Sequence, residues 1–193
     1  GKYDPRASKS VLREEDKVDN YLDAIGDHAV RDYAPYAKHW ALIGRGNHDQ
    51  NILKRHGTDL INTLVHDLRK DHGSNVVAGG YGGWIRFMFK YHTTSQQSLN
   101  LKYHHGSGGG GPVTKGVIQT NRQAVYLRNA DIVVNGHTHD AWIVPISNEG
   151  LSDAGVVKRS ITYYLRTPGY KDEYFKSEGI KGFEQEKWMP PKP

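Results

Sequence analysis

A chain of 193 residues with 36% hydrophobic side chains, 12 tyrosines and 4 tryptophans has enough apolar material for one domain with a packed interior, which excludes global disorder. With no cysteine it holds neither a disulfide framework nor a thiolate metal site, so a bound metal would rest on His, Asn, Asp or Glu. The formal net charge of +5 suits a polyanionic partner and suits ordinary solubility equally.

Residues Gly1 to Asp16 are charged and interrupted by Pro5, and no apolar run resembles a signal peptide or approaches the roughly 18 residues of a membrane span. The expectation is a cytoplasmic protein with no membrane contact. From Glu14 to Ala37 the apolar positions Val18, Tyr21, Leu22, Ile25, Ala29 and Tyr33 follow a helical spacing that Pro35 should stop. His39-Trp-Ala-Leu-Ile43 reads as a buried strand, and it ends in Gly44-Arg-Gly-Asn-His-Asp49, where two glycines permit a sharp turn. Thr58 to Lys70 returns to helical spacing through Leu60, Ile61, Leu64, Val65 and Leu68.

Beyond Gly73 the pattern shifts to short apolar runs and period two, predicting adjacent strands at Val76 to Ala78, Trp84 to Tyr91 and Ser98 to Tyr103, with Gly79 to Gly83 as the turn between the first pair. A glycine-rich loop from His104 to Pro112 then precedes a helix from Lys115 to Asn129, a strand at Asp131 to Asn135, and Gly136-His-Thr-His139. Strands at Ala141 to Ser147 and Val156 to Arg166 complete the regular part, and 170–193 reads as an extended tail. The whole is expected to be a single α/β domain over residues 1–193.

Three polar clusters share one context: each begins where a short apolar strand runs out. They are Asn47-His48-Asp49 after Ile43, His104-His105 after Leu101, and His137 with His139 after Val134. Sites of α/β sheets assemble at strand ends, histidine is the commonest metal ligand, and a pair spaced by one residue can send both imidazoles to one side of an extended segment. Each cluster alone has an ordinary explanation, since 11 histidines produce adjacent pairs by chance and Asn-His-Asp can be a capped turn. Their order and shared context together are far more specific.

Over Trp40 to Arg166 the ordered set resembles the signature of the calcineurin-like metallophosphoesterases. The resemblance implies an α/β fold of the four-layer αββα sandwich type and hydrolysis of phosphate mono- or diesters at a two-metal site. Asn47 would ligate the second metal, as would His137 and the histidine before Gly106, which is His105 or, in a shifted register, His104. His139 would ligate the first metal. His48 would contact the phosphate and protonate the leaving oxygen, with Asp49 orienting it. Manganese is the metal implied first, with iron, zinc or nickel as alternatives, and an intact member holds two ions.

The family's Asp-x-His and Gly-Asp-x-x-Asp motifs have no counterpart here. Gly26-Asp27-His-Ala-Val-Arg-Asp32 offers Val30 where the second Asp belongs and lies within a helical pattern. The expectation is therefore an N-terminally truncated member with impaired activity, an incomplete sheet, and either low stability or association with another chain. Two other readings stand beside it. Arg45, Lys54, Arg55, Lys102 and Lys115 could form a nucleic-acid surface, and the histidines could make a mononuclear metal-binding pseudoenzyme.

Overall fold

Residues 14–169, except 109, 110 and 112, are described by a computed structural model; the expected tail at 170–193 lies outside them. The chain divides into two units, Gly1–Tyr81 and Gly82–Pro193. Together they make a mixed α/β protein with one mixed sheet of five strands.

The first unit is mostly helical. Helix α1 spans Tyr21–Tyr33 and passes directly into a 3-10 turn, Ala34–His39, with Pro35 in its first turn. Proline suits the start of a helical turn because its missing N–H would have no partner there. The Gly26 to Asp32 segment is thus helical, as its apolar spacing indicated. The expected strand from His39 is shorter: β1 is Leu42–Ile43, because the 3-10 turn takes the chain through His39.

Asn47–His56 forms a helix, α2, whose first turn occupies the Asn47 to Asp49 part of the expected sharp turn. Neither Gly44 nor Gly46 adopts a positive φ; Gly46, at φ −107° and ψ 179°, is the extended N-cap. Helix α3 covers Leu60–His72 and ends at Gly73, whose left-handed φ of 63° turns the chain. Leu64, Val65 and Leu68 of α3 pack with Ala37 and Val76 to form the unit's core, against Val30, Tyr33, Trp40 and Ile43.

The second strand, β2 at Val77–Ala78, pairs in parallel with β1, with Leu42 opposite Val77. It was expected to neighbour the strand that follows it. Instead, backbone bonds from Gly79 N–H to Ile43 O (2.8 Å) and from Arg45 N–H to Gly80 O (3.1 Å) carry the pairing past β1. They set the backbone that leads into α2.

The second unit is built on strands β3 (Gly82–His92), β4 (Ser95–His104), β5 (Ile132–Asn135), β6 (Trp142–Leu151) and β7 (Val157–Arg166), ordered β3-β4-β5-β7-β6. Strands β4, β5 and β7 are parallel, and the edge strands β3 and β6 run antiparallel to their neighbours. Helix α4, Val117–Tyr126, is the crossover between β4 and β5. It starts two residues later than expected because Lys115 and Gly116 both take positive φ, 44° and 80°.

Strand register sorts the side chains onto two faces. Val133 and Tyr164 point to one face and form a core with Ala130, against Ala124 and Leu127 at the end of α4. The other face carries the aligned row Ile85, Leu101, Ile132, Tyr163 and Pro145, and on it Phe87, Ile143, Ile161 and Tyr163 are exposed.

Candidate functional site

Register also decides where the site of the second unit lies. His104 of β4 pairs with Asn135 of β5, and Asn135 with Arg166 of β7, so the three parallel strands end level with one another. Three loops leave that line: His105-Gly106, Gly136-His137 and Thr167. Gly136 N–H donates to His105 O (3.1 Å), and Thr167 N–H to Asn135 O (2.9 Å). The carboxyl edge of parallel strands is where α/β proteins place their ligands.

His105 and His137 meet there. The Nδ1 of His137 lies 3.2 Å from Nε2 of His105, with the rings edge to face at a centroid separation of 5.1 Å. Two nitrogens bound to one ion at about 2.0–2.1 Å would sit about 2.9–3.4 Å apart in octahedral to tetrahedral geometry. The separation matches that of two ligands on a divalent metal, and it equally suits a hydrogen bond between the rings, the donor being set by the tautomer. Among the described residues no group of three or more His, Asp or Glu side chains suited to a metal is found.

His104 faces another way. As the last residue of β4 it pairs with Gly82, and its ring lies against that glycine, where a Cβ would come within 2.8 Å of its Cδ2. Its Nδ1 accepts a 2.9 Å bond from Gly106 N–H. Burial, with Lys102 adding to it, holds its imidazole below the ordinary histidine value. Of the two histidines, His105 is the one brought to His137.

The segment from Gly136 to Asp140 is a tight turn, not the extended stretch expected from the spacing. His137 and His139 have φ of 75° and 58°, in the left-handed region that L-residues with a Cβ rarely occupy. Such strain persists where the surroundings over-determine it, and it gathers at functional sites. Gly106, at φ 102°, is needed beside this turn: a Cβ there would stand 2.8 Å from Gly136 O and 3.0 Å from His137 Cβ.

Sequence reasoning missed two parts of this site. Arg166 is 4% exposed; it donates to Gly136 O (2.7 Å) and lies over the Trp142 ring at 5.4 Å. Burial lowers its guanidinium below the usual value, and Asp140 partly offsets that. Asn135 and Gln123 exchange two amide bonds, 3.1 and 3.0 Å, tying the end of β5 to α4. An arginine ending a predicted strand was the available signal; its burial and its partners were not visible in the sequence.

Asn47, His48 and Asp49 belong to the first unit, where they form the first turn of α2. His48 is exposed and Asn47 half-buried. Asp49 Oδ2 accepts from Gly46 N–H at 2.9 Å, one half of a capping box, since glycine has no side chain to supply the other. Asp49 thus caps the helix, and neighbours on a helix do not face each other. Asp49→Ala is expected to lower stability by about 1 kcal/mol in urea unfolding, and Asp49→Asn by less, because an amide oxygen still accepts; equal losses would count against the cap. Arg45, just before this turn, pairs with Asp59, which also caps α3 through Asn62 N–H (3.1 Å).

Two of the basic side chains that suggested a nucleic-acid surface are engaged elsewhere, Arg45 with Asp59 and Lys102 over the Trp84 ring at 5.4 Å. Among the described residues no helix is long and apolar enough to cross a membrane. Comparison with known protein families, with curated proteins and with solved structures finds no match to this chain.

Proposed function

We propose that the protein is a metal-dependent phosphoesterase of the calcineurin-like type, hydrolysing phosphate mono- or diesters. The observation that supports this most is the approach of His105 Nε2 to His137 Nδ1, 3.2 Å, at the level ends of three parallel strands. His105 and His137 would hold a divalent ion, manganese first; the resemblance to the family is what implies Asn47 as a further ligand and His139 as a ligand of a second ion. The ion supplies charge that stabilises the phosphate in the transition state and makes water a better nucleophile.

The chain's own residues would do the rest. His48, exposed in the first turn of α2, is the group to hand a proton to the leaving oxygen. The start of a helix carries partial positive charge and favours a bound phosphate. The αββα arrangement belongs to the same proposal: the five-stranded sheet has α4 on one face and exposed Phe87, Ile143, Ile161 and Tyr163 on the other, the face a second sheet would cover.

The test is hydrolysis of an aryl phosphodiester across a Mn²⁺ titration by the wild type, His48→Ala and His137→Ala. Metal-dependent turnover removed by both changes is expected. Metal binding without turnover would favour the pseudoenzyme reading, which the two-histidine pair also suits. Absence of metal binding would overturn the ligand assignment.

A further inference from the structure

We infer that Arg166 is a positioning residue for the histidine turn, strapping the Gly136 carbonyl to the start of α4 so that His137 is held against His105. Its importance for catalysis rests on the phosphoesterase reading; the strap itself does not.

Arg166 is the last residue of β7, level with Asn135 at the end of β5. From there its Nη1 donates to Gly136 O at 2.7 Å, while Nη2 stands 3.5 Å from Gly116 O, at the N-cap of α4. One planar group thus reaches two backbone segments that are 20 positions apart in the chain. The ring of Trp142 backs it at 5.4 Å, and Trp142 is anchored in turn by Nε1–H to Lys115 O at 2.9 Å.

The carbonyl matters because Gly136 C=O and His137 N–H belong to one rigid peptide plane. Holding the oxygen fixes that plane, and His137 then needs its φ of 75° to bring its ring to His105. Gly106 packs on the same carbonyl with no room for a Cβ, so the oxygen is gripped between Gly106 and the guanidinium. Arg166 Nε is buried without a hydrogen-bond partner. A charged side chain so enclosed is a poor choice for stability alone, since a well-packed apolar residue of similar volume is often neutral or better. A fixed fork of donors that sets a backbone plane is something an apolar residue cannot supply.

The test uses the whole chain as wild type, Arg166→Met and Arg166→Lys, with two readouts. Imidazole nitrogen NMR of the metal-free protein reports whether His105 and His137 share a hydrogen, and Co²⁺ titration followed by absorbance reports metal affinity. Arg166→Met is expected to melt cooperatively, lose the imidazole coupling, and bind Co²⁺ about tenfold or more weakly, within the range known for groups that orient metal ligands. Arg166→Lys, able to bond one carbonyl, should recover part of both. Unchanged imidazole signals in folded Arg166→Met would overturn the strap. Should that variant fail to fold, wild-type signals in Arg166→Lys would overturn it as well. A wild type that ignores Co²⁺ while Arg166→Met still uncouples the rings would sink the phosphoesterase reading and leave the strap standing.

Discussion

His137→Ala is expected to weaken divalent-metal binding by at least about 100-fold, because loss of a group that merely orients a ligand already costs about 10–100-fold. His137 supplies one of two ring nitrogens that stand 3.2 Å apart, and a single remaining imidazole cannot chelate. The same position makes a second, opposite statement about stability. At φ 75° alanine keeps the left-handed strain that histidine bears, whereas glycine relieves it. His137→Gly should therefore unfold at higher urea than His137→Ala, by about 1 kcal/mol, although both lose the metal to the same degree. Calorimetric metal titration and urea melts of the two variants separate the effects. Equal stability of the glycine and alanine forms would mean the turn is not strained at this residue.

Leu68→Ala should bring the largest loss of stability in the first unit, about 2–5 kcal/mol. Leu68 is 0% exposed, as is Val76 beside it, and among the described residues the buried apolar set around them adds only Ala37, Leu64 and Val65. Truncating a fully buried leucine at the centre of this core leaves a cavity that its neighbours can fill only in part. The position also bears on the loop before α2. Val76 immediately precedes β2, whose pairing with β1 carries on to the bond between Arg45 N–H and Gly80 O, 3.1 Å. Thermal unfolding measured at a signal from Trp40, which packs against this core, reads the change. Leu68→Met, which preserves volume, should cost less than about 1.5 kcal/mol. A Leu68→Ala variant as stable as that would show that the site collapses around the gap.

Most elements could be read from local pattern, because a strand or helix that buries one face writes its period into the chain. The apolar run at Ile132 to Val134 and the 3.6-residue spacing of α3 are of this kind. Helix α2 was missed for the converse reason: among Asn47 to His56 only Ile52 and Leu53 are apolar, too few to show a period. Its marker was Asp49 three residues past Gly46, an acidic group placed to cap. The three polar clusters were legible as strand-end residues. Their ordering along the chain supported a chemistry, and that chemistry remains our proposal.

What the sequence by itself determined, then, was most of the strands and helices, α2 excepted, and which histidines follow strands, since both depend on neighbours a few residues away. Only the tertiary structure decided that β2 pairs back to β1, that His105 rather than His104 faces His137, and that Arg166 grips the Gly136 carbonyl. Each of these depends on strand register and on backbone angles at single residues. Register joins positions some 30 residues apart, such as His105 and His137, and a left-handed φ at His137 leaves no trace in side-chain pattern. Local propensity carries no information about either.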